Sequence, residues 1–296
     1  MGHITTRFAP SPTGRLHFGH ALSAWIGWQL ARAGGGRWLV RMEDIDQGRC
    51  RPEHEAGIME DLAWLGLVPD GPVVRQSERQ PAYAQALDRL RALGIIYPCH
   101  CTRADLAAAA SAPHDLLMGP DGPLYPGTCR GRGLSADGAA WRLDAVRAAA
   151  LVGPLTFEDA ALGVMTVDPL LLGDVVVARR DAGIAYHLAV VMDDGWQKVT
   201  DVVRGEDLRA ATHVQRVLQA LLGLPAPRYH HHRLVLGPDG KRLAKRDHAA
   251  TLAAARDQGQ TPAALRTRLM ELAESLLRQC GSRWPVFTMA GKAIDG

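Results

Sequence analysis

The chain has 296 residues, 47% of them hydrophobic and 22% charged, with a net charge of +3. That length buries a sizeable core and suits one main domain carrying an insertion, and the composition excludes a disordered or fibrous chain. No stretch approaches the ~18 consecutive apolar residues of a membrane helix, and Met1-Gly2-His3-Ile4-Thr5-Thr6-Arg7 forms no secretory signal, so a cytosolic protein is expected.

Ile4 to Phe8 reads as a short strand that runs into Ala9-Pro10-Ser11-Pro12-Thr13-Gly14, where two prolines and a glycine forbid a regular element. Phe18, Leu22, Trp25, Ile26, Leu30 and Ala31 recur at helical spacing until Gly34-Gly35-Gly36. Arg37 to Met42 is a second strand, with acidic side chains at its carboxyl end in Glu43-Asp44-Ile45-Asp46. Ligands bind at that edge of open parallel sheets. Two amphipathic helices follow, marked by Ile58, Leu62 and Leu65 and by Tyr83, Leu87, Leu90 and Leu93.

Alternation of strand and helix predicts an α/β fold with a doubly wound parallel sheet. The rhythm breaks from Ile95 to about Gly173, then returns with Val175-Val176-Val177, a helix from Tyr186 to Met192, a strand at Val199 to Val203 and a helix from Ala210 to Leu222. His230 to Leu236 reads as a strand before the turn Gly237-Pro238-Asp239-Gly240, and two helices fit Ala249 to Leu277, the second starting after Thr261-Pro262. The expected division is a first catalytic half over 1–94, an insertion over 95–173, a second half over 174–247 and a helical segment over 248–296.

The loop Pro10 to His20 places His17 and His20 around Gly19 at the start of a helix, where free backbone N–H groups and the helix dipole favour a phosphate. Both histidines can donate to charge developing on that phosphate, and Gly19 lets a base ring approach the backbone. Lys241-Arg242-Leu243-Ala244-Lys245-Arg246 supplies cations suited to a departing pyrophosphate. Alone, the first pattern also fits a capped helix and the second a solvated charge run.

Five cysteines in a reducing compartment argue for metal rather than disulfides. Cys99, Cys101 and Cys129 suit a tetrahedral zinc ion that needs a fourth ligand, with His100 or His114 as candidates. The site is remote in sequence from both nucleotide motifs, which suits a structural ion. Cys50 and Cys280 receive no role. His230-His231-His232 cannot converge on one ion, because consecutive strand residues point to opposite faces; strand packing is expected there.

The first loop resembles the HIGH motif of class I aminoacyl-tRNA synthetases, and Gly240 to Asp247 looks like their KMSKS loop, with Arg242 and Ala244 departing from the usual pattern. Arg7-Phe8-Ala9-Pro10-Ser11-Pro12-Thr13-Gly14, Arg41-Met42-Glu43-Asp44 and Val203-Arg204-Gly205-Glu206-Asp207 are similar to the glutamyl branch, and the similarity spans Thr5 to Asp247. The resemblance implies a Rossmann-like catalytic core that activates glutamate with ATP and Mg²⁺. It assigns glutamate to Arg7, Ala9, Ser11, Glu43, Tyr186 and Arg204, and ATP to His17, Gly19, His20 and Lys245. His17, His20 and Lys245 carry catalysis in that reading, and Tyr125 becomes the fourth zinc ligand. Two arginines for the carboxylates and a glutamate for the ammonium are also what the charges of the substrate require.

The chain ends soon after the second motif, so no anticodon-binding domain is expected. That makes it resemble the truncated paralogues of this branch, which transfer glutamate to queuosine in the anticodon loop of tRNA(Asp). A monomer acting on ATP, L-glutamate and queuosine-containing tRNA(Asp), away from membranes, is expected. The alternatives are a minimal glutamyl-tRNA synthetase charging the 3′ end and a zinc-dependent RNA-binding module without activity. Arg256, Arg266 and Arg268 are candidate RNA contacts.

Overall fold

A computed structural model describes residues 3–111, 118–120, 122–180, 183–235, 251–279, 286–287 and 293–294. The basic loop with Lys245 lies outside the described residues, as do His114 and Cys280.

The first half alternates as expected: β1 (Thr5–Phe8), α1 (Phe18–Ala33), β2 (Arg37–Met42), α2 (Pro52–Trp64), β3 (Val74–Arg75) and α3 (Gln80–Ala92). Next come β4 (Ile96–Cys99), α4 (Arg103–Ser111), β5 (Met118–Gly119), β6 (Gly122–Pro123), β7 (Ala140–Leu143), α5 (Ala145–Val152), β8 (Thr156–Asp159) and β9 (Gly163–Thr166). The rest comprises β10 (Val176–Arg179), β11 (Gly183–Ile184), α6 (Tyr186–Trp196), β12 (Asp201–Gly205), α7 (Arg209–Leu222), β13 (Arg228–His232), α8 (Leu252–Asp257), α9 (Pro262–Gln279), β14 (Val286–Phe287) and β15 (Ala293–Ile294).

A seven-stranded sheet runs β3-β2-β1-β12-β13-β8-β9. It is parallel from β3 to β8, but β9 pairs antiparallel with β8, which corrects the expected all-parallel sheet to a mixed one. The reason is local. Asp159 Oδ1 accepts from the N–H groups of Ala161 (2.9 Å) and Leu162 (3.1 Å), turning the chain back at once; a connection that short can only be antiparallel.

A second sheet, β11-β10-β7-β4, is antiparallel. The strand expected around Val175–Val177 in the main sheet is therefore real but belongs here, paired with β7. An apolar run records burial, and its periodicity does not say in which sheet. Asp174 holds the junction, accepting from Ala145 N (3.0 Å) and Arg130 Nη2 (2.6 Å) while its carbonyl accepts from Arg142 Nη1 (2.7 Å).

Strand alternation sorts the main sheet into two cores. Phe8, Trp38, Val40, Met42 and Val203 pack with α1, α2 and α9, whereas Val202, Tyr229 and Phe157 pack with α3, α6 and α7. Helices thus cover both faces, as buried parallel strands require. From β1 the chain turns to β2 on one side, while β12 lies on the other. That reversal of strand order opens a crevice at the carboxyl ends of β1 and β12, the usual place for a ligand in such sheets.

The start of β2 is held so close to β1 that a Cβ at Gly36 would lie 1.8 Å from the Ile4 carbonyl oxygen. Gly36→Ala is expected to separate the two strands and to destabilise the fold by at least ~1–3 kcal/mol, measured as a lowered denaturation midpoint with the slope unchanged.

Candidate active site

The signature loop ends in a helix start built by its own histidines. His17 is the N-cap of α1, and its Nδ1 accepts from the N–H groups of Gly19 (3.1 Å) and His20 (3.4 Å). His20 Nδ1 in turn accepts from His17 N at 3.4 Å, and the two rings stack at 3.7 Å. With both Nδ1 atoms accepting, the neutral form of either ring carries its proton on Nε2. Gly19 is required beneath them, since a Cβ there would meet the His17 ring at 3.1 Å.

Beside this helix start the strand ends converge on a cavity of about 290 Å³. It is lined by Arg7, Ala9, Ser11, His17, Gly19, His20, Glu43, Tyr186 and Arg204 among others. All the residues expected to hold glutamate or ATP therefore meet in one place, Lys245 excepted because it lies outside the described residues. Val235, the last described residue before that segment, lines the cavity, and Thr251, the first after it, pairs with His17.

Sequence reasoning missed what holds the arginines. Asp194 on α6 accepts from Arg7 Nε at 3.1 Å and from Arg41 Nη1 at 2.7 Å. Burial pushes the Asp194 carboxyl up, but Arg7 and Arg41 outweigh it and hold it below the ordinary range. Its neighbour Asp193 accepts from Arg79 Nε (2.6 Å), Tyr83 Oη (2.7 Å) and Gln76 Nε2 (2.8 Å). Arg41 is fully buried; burial lowers its pKa, yet Asp194, Glu43 and Asp193 together raise it further.

Glu43 differs from these aspartates. Burial pushes its carboxyl up, and Arg41, at 3.4 Å, and Arg7 offset that only in part. A desolvated carboxylate facing a cavity is placed to gain from an incoming cation. Arg204 is its counterpart of opposite sign. Its guanidinium donates to His231 Nε2 (3.2 Å), Gln215 Oε1 (2.9 Å) and Thr212 Oγ1 (2.7 Å), none of them a carboxylate.

The three consecutive histidines do more than pack. His230 Nε2 bonds to Asp201 Oδ1 and His231 Nδ1 to Asp159 Oδ2, both at 2.7 Å, while His232 bonds to Ser23 of α1 at 2.8 Å and lines the cavity. They serve three separate partners, as strand alternation requires. Arg256 pairs with Glu60 at 3.0 Å, Arg266 approaches the Leu65 carbonyl at 3.4 Å and Arg268 lies over Phe18, so each has a contact within the protein.

Away from the cavity, the sulfurs of Cys99, Cys101 and Cys129 lie within 4.8 Å of one another. Tyr125 Oη stands 3.4 Å from the sulfurs of Cys99 and Cys101, and Cys101 and Cys129 are 3.6 Å apart. Tetrahedral zinc with bonds of about 2.0 Å to oxygen and 2.3 Å to sulfur separates its ligand atoms by roughly 3.5–3.8 Å. The donor set fits. His100 instead bonds to the Ser135 carbonyl at 2.9 Å and stands outside the sulfur cluster.

Residues 3–277 match the family described as tRNA synthetases class I (E and Q), catalytic domain. The chain is 50% identical to the glutamyl-Q tRNA(Asp) synthetase of Rhodobacter capsulatus, over 89% of this chain and 98% of that one. It is 46% identical to the protein of that name from Symbiobacterium thermophilum, over 86% and 82% of the two chains. The chain belongs to the glutamyl-Q tRNA(Asp) synthetase family. Among solved structures, the glutamate tRNA ligase of Elizabethkingia meningosepticum in complex with its amino acid superposes with a TM-score of 0.74 at 28% identity. That match covers 90% of this chain, which spans 60% of the ligase. The methionyl-tRNA synthetase of Mycobacterium tuberculosis shares the fold at a TM-score of 0.58 and 12% identity. Among the described residues of this family member, no helix is long and apolar enough to cross a membrane.

Asp194→Asn keeps the shape and removes the charge between two buried guanidiniums. Breaking a buried pair on one side costs about 3–5 kcal/mol, and the loss is expected in urea denaturation at neutral pH. The depressed Asp194 carboxyl also contributes stability that is present above the ordinary carboxylate range and lost as pH falls through its lowered value; D194N should lack that portion of the acid transition.

Proposed function

We propose that this cavity condenses glutamate with ATP to form glutamyl-adenylate, and that the enzyme transfers the glutamyl group to the queuosine base of tRNA(Asp). The observation that carries the reading is the placement of Arg7, Glu43, Tyr186 and Arg204 in one cavity beside the His17–His20 helix start. Two cations and one desolvated carboxylate match a ligand with two carboxylates and one ammonium. The family membership supplies the reaction class and the tRNA.

Glu43 receives the ammonium, while Arg7 and Arg204 hold the carboxylates, with Tyr186 adding a hydroxyl and Ala9 and Ser11 completing the wall. The α-carboxylate then attacks the α-phosphorus of ATP, and the bond to the bridging oxygen breaks to release pyrophosphate. His17 and His20 donate from Nε2 to the charge growing on that phosphate, next to the amino end of α1. Gly19 leaves room for the nucleotide. Lys245 neutralises the departing pyrophosphate, and Mg²⁺ accompanies the nucleotide. In the second step a queuosine hydroxyl oxygen attacks the activated carbonyl, the bond from that carbon to the phosphate oxygen breaks, and AMP leaves as the hydroxyl gives up its proton. Catalysis comes from positioning and charge, and no side chain forms a covalent bond. Glutamine fits less well, since its amide cannot satisfy a second guanidinium as a carboxylate does.

Cys99, Cys101, Cys129 and Tyr125 would hold one zinc ion that braces the carboxyl end of β4 and contributes nothing to the reaction. Cys101→Ser is expected to reduce bound zinc from about one per chain to a small fraction, by elemental analysis, and to lower the thermal midpoint more than it lowers kcat at low temperature.

Because burial raises the Glu43 carboxyl, it takes up a proton at a higher pH than an exposed glutamate, and the protonated form cannot pair with an ammonium. KM for glutamate should therefore rise as pH falls, beginning above the pH at which an exposed glutamate takes up its proton, and in Glu43→Gln it should be high and flat with pH. The deciding assay is transfer of labelled glutamate, with ATP, to tRNA from cells that make queuosine and from cells that do not. Label on the queuosine-containing tRNA alone is expected. Equal labelling of both would show charging of the 3′ end and overturn the tRNA part of the reading.

A further inference from the structure

Arg204 is a buried cation surrounded by neutral acceptors, and one of them is itself held by a carboxylate. His231 is fully buried on β13, beside the β12 residue that carries the guanidinium, with Arg204 and His231 in register across the two strands. Its Nε2 accepts from Arg204 Nε at 3.2 Å, and its Nδ1 lies 2.7 Å from Asp159 Oδ2. Since the Arg204 nitrogen can only donate, Nε2 must be the bare nitrogen and Nδ1 must carry the proton, donated to Asp159. Burial pulls the imidazole down to about 4, with Arg204 adding to that and the Asp159 hydrogen bond opposing it, so the ring stays neutral at physiological pH. The ring also stacks parallel to Tyr229 at 5.8 Å, and the Arg204 guanidinium lies over the Tyr229 ring at 5.2 Å.

We infer that Asp159 and His231 are positioning residues that fix the direction of Arg204 and leave its charge uncompensated, thereby setting the preference for glutamate over its neutral analogues. The alternative way to hold a buried arginine, a direct carboxylate, is used for Arg7 and Arg41 in this same site. A carboxylate on Arg204 would already satisfy the cation and leave less to gain from a ligand of charge −1. With Asp159 one imidazole further away, the guanidinium is oriented by a chain of hydrogen bonds while its charge stays available to the cavity. Asp159 keeps a second task, since Oδ1 accepts from Ala161 N and Leu162 N in the β8–β9 turn. The role holds only if the cavity takes glutamate, as proposed.

Glutamate-dependent exchange of pyrophosphate into ATP, with glutamine as competitor substrate, is measured first on the unmodified protein. If that protein shows no glutamate-dependent exchange, the substrate reading falls and this role falls with it. Given exchange, His231→Phe retains the ring and its stacking but offers no acceptor. It is expected to raise KM for glutamate by about 10–100-fold, to leave KM for ATP within about twofold, and to narrow the glutamate-over-glutamine preference by about tenfold. His231→Gln, which returns an amide oxygen near the place of Nε2, should recover most of both losses. Asp159→Asn gives a second route, because an amide can turn its N–H to Nδ1 and invert the tautomer, as carboxylate-to-amide exchange does in hydrolase triads. It should share the glutamate-specific defect and move the His231 nitrogen resonances, the protonated nitrogen changing from Nδ1 to Nε2. Unchanged glutamate KM and preference in H231F would overturn the role. Equal rises in KM for both substrates, tracking a fall in thermal midpoint, would reduce the pair to a structural brace and overturn it as well.

Discussion

The carboxylate pair Asp193–Asp194 is the point on which the site depends. Two adjacent acids on α6 reach β1 through Arg7, β2 through Arg41 and the start of α3 through Arg79. Such groups lose several kcal/mol of hydration on burial and are stable only when every charge has close, well-directed partners. The strands therefore cannot slide or twist at their carboxyl ends without exposing an uncompensated charge. Hydrophobic packing fills both faces of the sheet, but it is non-directional and fixes volume better than angle. The ion network supplies the direction, and Glu43 and Arg7 inherit it.

Charge is distributed unevenly across the cavity. On the β1–β2 side guanidiniums and carboxylates largely neutralise one another, with Glu43 the least satisfied member. On the β12–β13 side Arg204 is held by neutral groups. Among the described residues the cavity thus sets a guanidinium held by neutral groups against an underpaired carboxylate, and a ligand of complementary charge offsets the desolvation of both.

Much of this was legible in the residues, and the rest was hidden for definable reasons. Strands and helices of the first half followed from period and from glycine and proline punctuation, and β2 has the bounds its sequence suggests. The cavity residues were found because short motifs tie chemistry to position. The aspartate pair escaped because the apolar pattern that marked the helix fades at Met192, whereas the helix continues to Trp196 and buries the acids on its inner face. No local rule marks a buried acid, since its partners come from residues more than a hundred positions away. The division between the two sheets was equally hidden: β8 is a four-residue strand with alternate exposure, too short to declare which sheet it joins. For the histidine run, alternation separated the three side chains onto different partners, but could not reveal that Asp159 and Arg204 lie on either side of His231.

Asp159 places a hairpin at the edge of the sheet under the same control as the Arg204 guanidinium. Under the role proposed for Arg204, folding of that turn and selectivity of the cavity share one carboxylate, so the two properties cannot drift independently through random substitution. A library of variants scored for amino-acid preference would return positions in this outlying hairpin as if they lined the cavity. In directed evolution towards a new amino acid, the hairpin is a control point from which Arg204 can be re-aimed without touching a residue that meets the substrate.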